Sequence, residues 1–206
     1  MTVEKVPVLA LGNSLIVSLA DHVRGKLGSD SQVGAYVRVD DHVRLKLEGQ
    51  CGGKAGLGAI PYRLVRDFKP QVAVLQYGAN EIAALMSARE AALNVLRVAR
   101  ELMRLGVRVV EIMTILPRRE NLRLPHWRFH QRAHEFRYWI RRATGNGEKI
   151  FLHVHKGFMN KLVQGRWQQV PMEDWSWDGI HPNRPLGRKL YARSLRNAVF
   201  HGLTNL

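Results

Sequence analysis

The run Val72-Ala73-Val74-Leu75-Gln76-Tyr77 is the feature that most restricts how this chain can fold. A strand that is apolar on both faces must be covered on both, the situation of a parallel strand between two helical layers. Similar short apolar runs occur at residues 7–11, 107–113 and 149–154. Between them, apolar residues recur at helical spacing. Leu15, Leu19, Val23 and Leu27 follow Ser14, with Ser14 or Asn13 placed to cap the start. Residues 87–105 form a strongly amphipathic segment closed by Gly106, and residues 126–142 and 185–200 predict two more helices. Residues 36–39 and 43–47 alternate apolar and basic, as half-buried strands do. A short helix is expected to end near Asp67, with Pro70 as punctuation. The alternation predicts a three-layer α/β/α sandwich with a mostly parallel sheet. No repeat, low-complexity tract or long linker divides the 206 residues, so residues 1–206 are expected to form one domain.

Composition narrows the classes further. Hydrophobic residues make up 46% and charged residues 24%, as in soluble globular proteins. No apolar run approaches the roughly 20 residues of a membrane-spanning helix. The start, Met1-Thr2-Val3-Glu4-Lys5, carries an acid and leads directly into an apolar run, which is not the layout of a secretory signal. The single cysteine, Cys51, excludes an intramolecular disulfide framework and fits a reducing compartment. An intracellular location, cytoplasmic or nuclear, is the expectation. Charge is the unusual feature: 32 Lys and Arg against 17 Asp and Glu give a formal net charge of +15. Such a surface attracts polyanions, nucleic acid or anionic lipid headgroups among them.

In open parallel sheets, ligands bind outside the carboxyl ends of the strands. That rule selects four loops: Gly12-Asn13-Ser14-Leu15, Gly49 to Gly53, Gly78-Ala79-Asn80-Glu81, and the segment Trp175-Ser176-Trp177-Asp178-Gly179-Ile180-His181-Pro182-Asn183. They hold what acyl transfer needs. A serine hydroxyl is a weak nucleophile and requires a base within hydrogen-bond reach. Ser14 follows a strand and opens a helix, whose N-terminus favours developing negative charge. His181 can take its proton at neutral pH. Asp178, three residues earlier, can orient the imidazole and stabilise its cation. Gly49 and Asn80 can supply donors to an oxyanion. Taken singly, Ser14 also reads as a helix cap, Asp178-Gly179 as a turn and His181 as a structural histidine.

Together and in order, Gly12-Asn13-Ser14-Leu15, Gly49, Gly78-Ala79-Asn80-Glu81 and Asp178-Gly179-Ile180-His181 resemble the four blocks of the SGNH/GDSL hydrolase family. The resemblance runs from the first strand to the last helix. It implies a flavodoxin-like fold with a five-stranded sheet and a Ser14–His181–Asp178 triad. It also implies an oxyanion hole from the Ser14 N–H, the Gly49 N–H and the Asn80 amide, with Gly52 as the alternative to Gly49. Members of that family are mainly esterases, lipases, thioesterases and carbohydrate deacetylases that use no metal or other cofactor, so an acyl ester is the implied substrate. Two positions depart from its pattern: Asn13 stands where the family usually has Asp, and Glu81 follows Asn80 where Asp is usual. The second half, with His155-Lys156-Gly157-Phe158, Asp178 to Asn183, Gly187 and Leu190-Tyr191, resembles the SGNH domains encoded by eukaryotic transposable elements.

Other motifs fail. A phosphate loop ending at Gly53-Lys54 would need glycine at Glu48 and a hydroxyl at Ala55. His153-Val154-His155 has no nearby cysteine or carboxylate cluster to complete a metal set. Trp175 and Trp177 flank the last loop, either walling an acyl pocket or packing the loop. The segment containing Arg128, Arg132, Arg137 and Arg141 is interleaved with Trp127, Phe129, Phe136, Tyr138 and Trp139, and Arg188 lies on a second basic face. Arginine among aromatics suits single-stranded nucleic acid or anionic headgroups, while an amphipathic helix with its aromatics in the core gives the same pattern. Two functions therefore stand at this point: a serine esterase, or a module of the same fold that binds polyanions.

Overall fold

Strand β1 (Val6–Gly12) shows why the sheet lies at the centre of the molecule: Val8 and Ala10 point into one apolar layer, Leu9 and Leu11 into the other, and all four are buried. Successive side chains of a strand face opposite ways, so both faces demand cover. The computed structural model describes residues 4–28, 32–119, 123–144, 147–159, 161–163, 166–168 and 170–206. The first three residues, on which the expectation about a leader partly rests, lie outside the described residues.

After β1 the chain forms α1 (Ser14–Leu27), α2 (Val33–Val37) and β2 (Val43–Gly49). It continues through α3 (Tyr62–Phe68), β3 (Val72–Gln76), α4 (Ala79–Ala83), α5 (Ala88–Arg104) and β4 (Val109–Met113). Then follow α6 (His126–Ala143), β5 (Ile150–His153), α7 (Lys156–Met159) and a small antiparallel pair, β6 (Lys161–Val163) and β7 (Arg166–Gln168). Helices α8 (Met172–Trp175) and α9 (Pro185–Thr204) end the chain.

The five long strands pair in the order β2-β1-β3-β4-β5, all parallel. This is the flavodoxin order, in which the chain leaves β1 for one neighbour and later returns to the other, opening a crevice at the carboxyl end of β1. Gly12, at that end, is level with Gly49 on one side and Gln76 on the other. Helices α5 and α6 cover one face through Val95, Leu102, Phe129 and Phe136; α1 and α9 cover the other through Ile16, Leu19, Tyr191 and Leu195. The expected sandwich with a five-stranded parallel sheet is what the chain forms.

Local signals hold at α5, the most amphipathic segment. The Ser87 hydroxyl accepts the Glu90 N–H at 3.1 Å. Gly106, at φ +101°, donates to the Met103 carbonyl while Val107 donates to Leu102, the paired bonds of a glycine-terminated helix. One expected strand is absent. Residues 36–39 do not extend: Val33 to Val37 form α2, and Arg38 takes a left-handed conformation at φ +62°. Val33 and Val37, four apart, are both buried on one helical face, and that burial overrides the alternation of Tyr36-Val37-Arg38-Val39.

Candidate active site

The crevice beside β1 collects the loops selected above. Asn13 caps α1, its side-chain oxygen accepting the Leu15 N–H at 3.0 Å. That leaves Ser14 at the first helical position with its hydroxyl turned to other work. The Ser14 hydroxyl and His181 Nε2 are 2.8 Å apart, and His181 Nδ1 and Asp178 Oδ2 are 2.7 Å apart. In the neutral tautomer, Nδ1–H donates to the carboxylate and Nε2 accepts from the serine. Residues 167 positions apart thus form one line of hydrogen bonds.

Asp178 is fixed from several sides. Its Oδ1 accepts the backbone N–H groups of Ile180 at 2.9 Å and His181 at 2.8 Å, and the Ser176 hydroxyl at 3.1 Å. Partial burial alone would raise its pKa; the bonds from the His181 backbone and ring and from Ile180 outweigh this and hold the carboxyl down at about 2. It is therefore an anion throughout the neutral pH range.

Beyond the end of β3, Asn80 lies in the first turn of α4 and donates through Nδ2 to the Gly53 carbonyl at 2.9 Å. Its Oδ1 accepts from Arg118 Nη1 at 3.1 Å. Glu81 is buried and bridges two loops: Oε2 accepts the Gly78 N–H at 3.1 Å, and Oε1 accepts the Ala55 N–H. Burial raises its pKa, opposed by these backbone donors. The methylene by which Glu exceeds Asp gives the reach to Ala55, so this departure from the family pattern braces the glycine-rich loop. Gly49 lies against Gly12, and a Cβ there would stand 3.1 Å from the Asn13 carbonyl. Gly52, at φ +70°, is the third residue of a turn closed by the Gly53 N–H on the Gln50 carbonyl. A cleft of about 320 Å³ lined by Leu11, Gly49, Gln50, Gly53, Ile60 and Tyr77 opens at this point. A larger one, about 540 Å³, follows the outer edge of β2; Gly49 lines both, and neither is lined by Ser14 or His181.

Under the site, fully buried His155 sits between Ser194 (Nδ1 to Oγ, 2.8 Å) and Gln76 (Nε2 to Oε1, 3.0 Å). Burial pushes its pKa down to about 3, so it is a neutral structural crosspiece between the end of β3 and α9. Trp175 is 1% exposed and packs edge-on against Phe158, whereas Trp177 is 67% exposed with the Arg184 guanidinium 3.4 Å from its ring centroid.

The five basic candidates do not form one surface. Arg128, Arg132, Arg137 and Arg141 lie on α6 and Arg188 on α9, across the sheet from one another. Arg128 and Arg141 are exposed; Arg132 is half-buried and donates to the Leu85 and Met86 carbonyls, and Arg137 is half-buried too. Phe129 and Phe136 are core residues, while Trp127 and Tyr138 face outward at 58% and 52% exposure. Among the described residues, no group of three or more His, Cys, Asp or Glu side chains is placed to hold a metal ion, and no helix is long and apolar enough to cross a membrane.

Residues 10–185 match the model of the GDSL-like lipase/acylhydrolase family, and the chain belongs to that family. Its class is carboxylic-ester hydrolase. Solved structures similar in fold include a GDSL-like lipase from Bacteroides thetaiotaomicron, 16% identical over 95% of this chain and 88% of that one, TM-score 0.62. Another is a carbohydrate esterase family 3 protein from Talaromyces cellulolyticus, 16% identical over 98% and 99%, TM-score 0.59. A third is an α/β hydrolase enzyme from the metagenome of Lake Arreo, 16% identical over 96% of each chain, TM-score 0.61. At these identities the likeness concerns the fold. A search of curated proteins finds no match.

Proposed function

We propose that this ester hydrolase is a serine esterase that cleaves small or medium acyl esters, as a deacetylase or lipid esterase does, through an acyl-enzyme. The observation that carries the reading is the unbroken line from Ser14 through His181 to Asp178, at 2.8 and 2.7 Å. Ser14 Oγ attacks the ester carbonyl carbon while His181 Nε2 takes its proton, and Asp178 stabilises the imidazolium. The carbonyl oxygen becomes an anion held by the Ser14 N–H, the Asn80 amide and the Gly49 N–H, or by Gly52 in place of Gly49. Gly49, level with Gly12 and lining the adjacent cleft, is favoured over Gly52, which lies beyond the end of β2 in the turn closed by Gly53 on Gln50. As the tetrahedral species collapses, the ester C–O bond breaks and His181 returns the proton to the leaving alcohol. Water then attacks the acyl group by the same route, freeing the acid and Ser14.

In this reading the acyl group enters the cleft of about 320 Å³ that Gly49 lines, a volume that suits an acetyl to medium-chain group. Across p-nitrophenyl acetate, butyrate, octanoate and palmitate, turnover is expected to fall at the longest chain, and Ser14→Ala to abolish it for all four. Equal rates for wild type and Ser14→Ala would remove the assignment.

A second reading concerns the basic surface. Exposed Trp127 and Tyr138 beside Arg128 and Arg141 on α6 support polyanion binding there, to nucleic acid in preference to anionic lipid because flat rings can stack on bases. The resemblance to transposable-element SGNH domains points the same way. A short single-stranded oligonucleotide should then bind with an affinity that falls steeply with salt and falls again in Arg128→Glu/Arg141→Glu. Binding unchanged by that double substitution would exclude α6 as the surface.

A further inference from the structure

The half-buried Asn80 amide is held so that its two ends are not interchangeable. Nδ2 gives one proton to the Gly53 carbonyl, and Oδ1 faces the Arg118 guanidinium. An amide nitrogen carries two protons, so the second is available to a ligand. Arg118 comes from the loop after β4. The next residue, Arg119, donates its backbone N–H to the Gly179 carbonyl at 2.9 Å, which ties that loop to the segment bearing Asp178 and His181. Burial lowers the pKa of Arg118, and the nearby Asp178 carboxylate works against that. A guanidinium stays protonated throughout.

We propose that Arg118 is a positioning residue of the esterase: its guanidinium locks the Asn80 amide with Nδ2 toward the reacting carbonyl and polarises it into a stronger oxyanion donor. The inference rests on the reading of Ser14 as nucleophile and Asn80 as donor. A cation at an amide oxygen draws electron density from the nitrogen, so the N–H gives a stronger hydrogen bond, and bonds in such a chain reinforce one another. The gain is largest when the acceptor becomes an anion, that is, in the transition state and not in substrate binding. The effect therefore falls on kcat.

The test is a double-mutant cycle read with p-nitrophenyl acetate. Arg118→Ala is expected to lower kcat on the order of tenfold with KM little changed, a part of the ~10²–10³ that loss of a whole donor costs. Asn80→Ala should take the full loss, and adding Arg118→Ala to it should cost nothing more. Arg118→Lys should recover part of the rate, since it restores charge without the planar fork. The rate at which a p-nitrophenyl phosphonate modifies Ser14 should follow the same order, because the same oxygen position becomes anionic. If Arg118→Ala does not fold, Arg118→Gln, which keeps a neutral donor, carries the comparison. Equal losses from Arg118→Ala with and without Asn80, or an effect on KM alone, overturn the role. If Ser14→Ala keeps wild-type turnover, or neither probe reacts with the wild type, the underlying reading fails and this inference with it. If Ser14→Ala is inert and the cycle is additive, the role of Arg118 alone fails.

Discussion

His181→Ala is expected to lower kcat on p-nitrophenyl acetate by ~10⁴–10⁶-fold, with the melting temperature close to that of the wild type. The size of the effect follows from the chemistry of serine. At neutral pH its hydroxyl is almost wholly protonated, and only a base in contact with it makes attack fast enough to matter. Nε2 of His181, 2.8 Å from Ser14, is the group so placed. The small cost in stability follows from position: His181 and Asp178 stand partly exposed in a loop, with side chains 24% and 41% accessible, and support no core packing. Asp178→Ala should cost less than His181→Ala, since an unoriented imidazole can still accept a proton some of the time. Because the Asp178 carboxyl is held at about 2, protonation of this carboxylate takes no activity away until the medium is strongly acidic. A His181→Ala protein that keeps most of its turnover would contradict the assignment of the base.

Gly187→Ala should produce the largest loss of stability from a single methyl group. Gly187 lies in the first turn of α9, and a Cβ there would stand 2.1 Å from the Trp175 carbonyl oxygen and 2.9 Å from Pro182 Cα. Both are backbone atoms, so no side-chain rotation relieves the clash, and α9 must separate from the loop it anchors. The expected cost is roughly 3 kcal/mol. That corresponds to a melting temperature lower by roughly 6–12 °C. Trp175 and Pro182 bracket Asp178 and His181, so esterase activity should fall along with stability. Gly25→Ala in α1 is the control: nothing lies within 4 Å of a Cβ there, and the change should be neutral or slightly stabilising. Differential scanning calorimetry of the two variants decides the matter, and equal melting temperatures would show that the contact at Gly187 is readily relieved.

Much of the fold was legible because strands covered on both faces leave an unmistakable trace. Val72 to Leu75 and Val8 to Leu11 are apolar at every position, and all of these side chains are buried. What misled at residues 36–39 was a stretch too short for its period to be judged: Val33 and Val37 also fit a helical face, and packing on β2 and α9 selects the helix. Helices α4, α7 and α8 and the β6–β7 pair span three to five residues each and carry no periodicity to detect.

The loops that carry the candidate site were picked out in sequence by the rule that ligands lie at the carboxyl ends of parallel strands. The groups that hold the site were not. Arg118 meets Asn80 across 38 residues and Glu81 meets Ala55 across 26, and in sequence Arg118 was one basic residue among many. Asn13 and Ser14 were equal candidates for the helix cap until the Asn13 oxygen was seen on the Leu15 N–H. The basic segments show a similar limit. Periodicity tells which face of a helix is buried but not which layer the helix joins, so the separation of α6 from α9 by the sheet could not be read.

The most direct measurement of the central claim is mass spectrometry of the intact protein and its peptides after reaction with a p-nitrophenyl phosphonate. One adduct per chain, on Ser14, formed rapidly by the wild type and very slowly by His181→Ala, is the predicted result. No adduct, or an equal adduct in Ser14→Ala, would contradict the account of Ser14 as a nucleophile activated by His181.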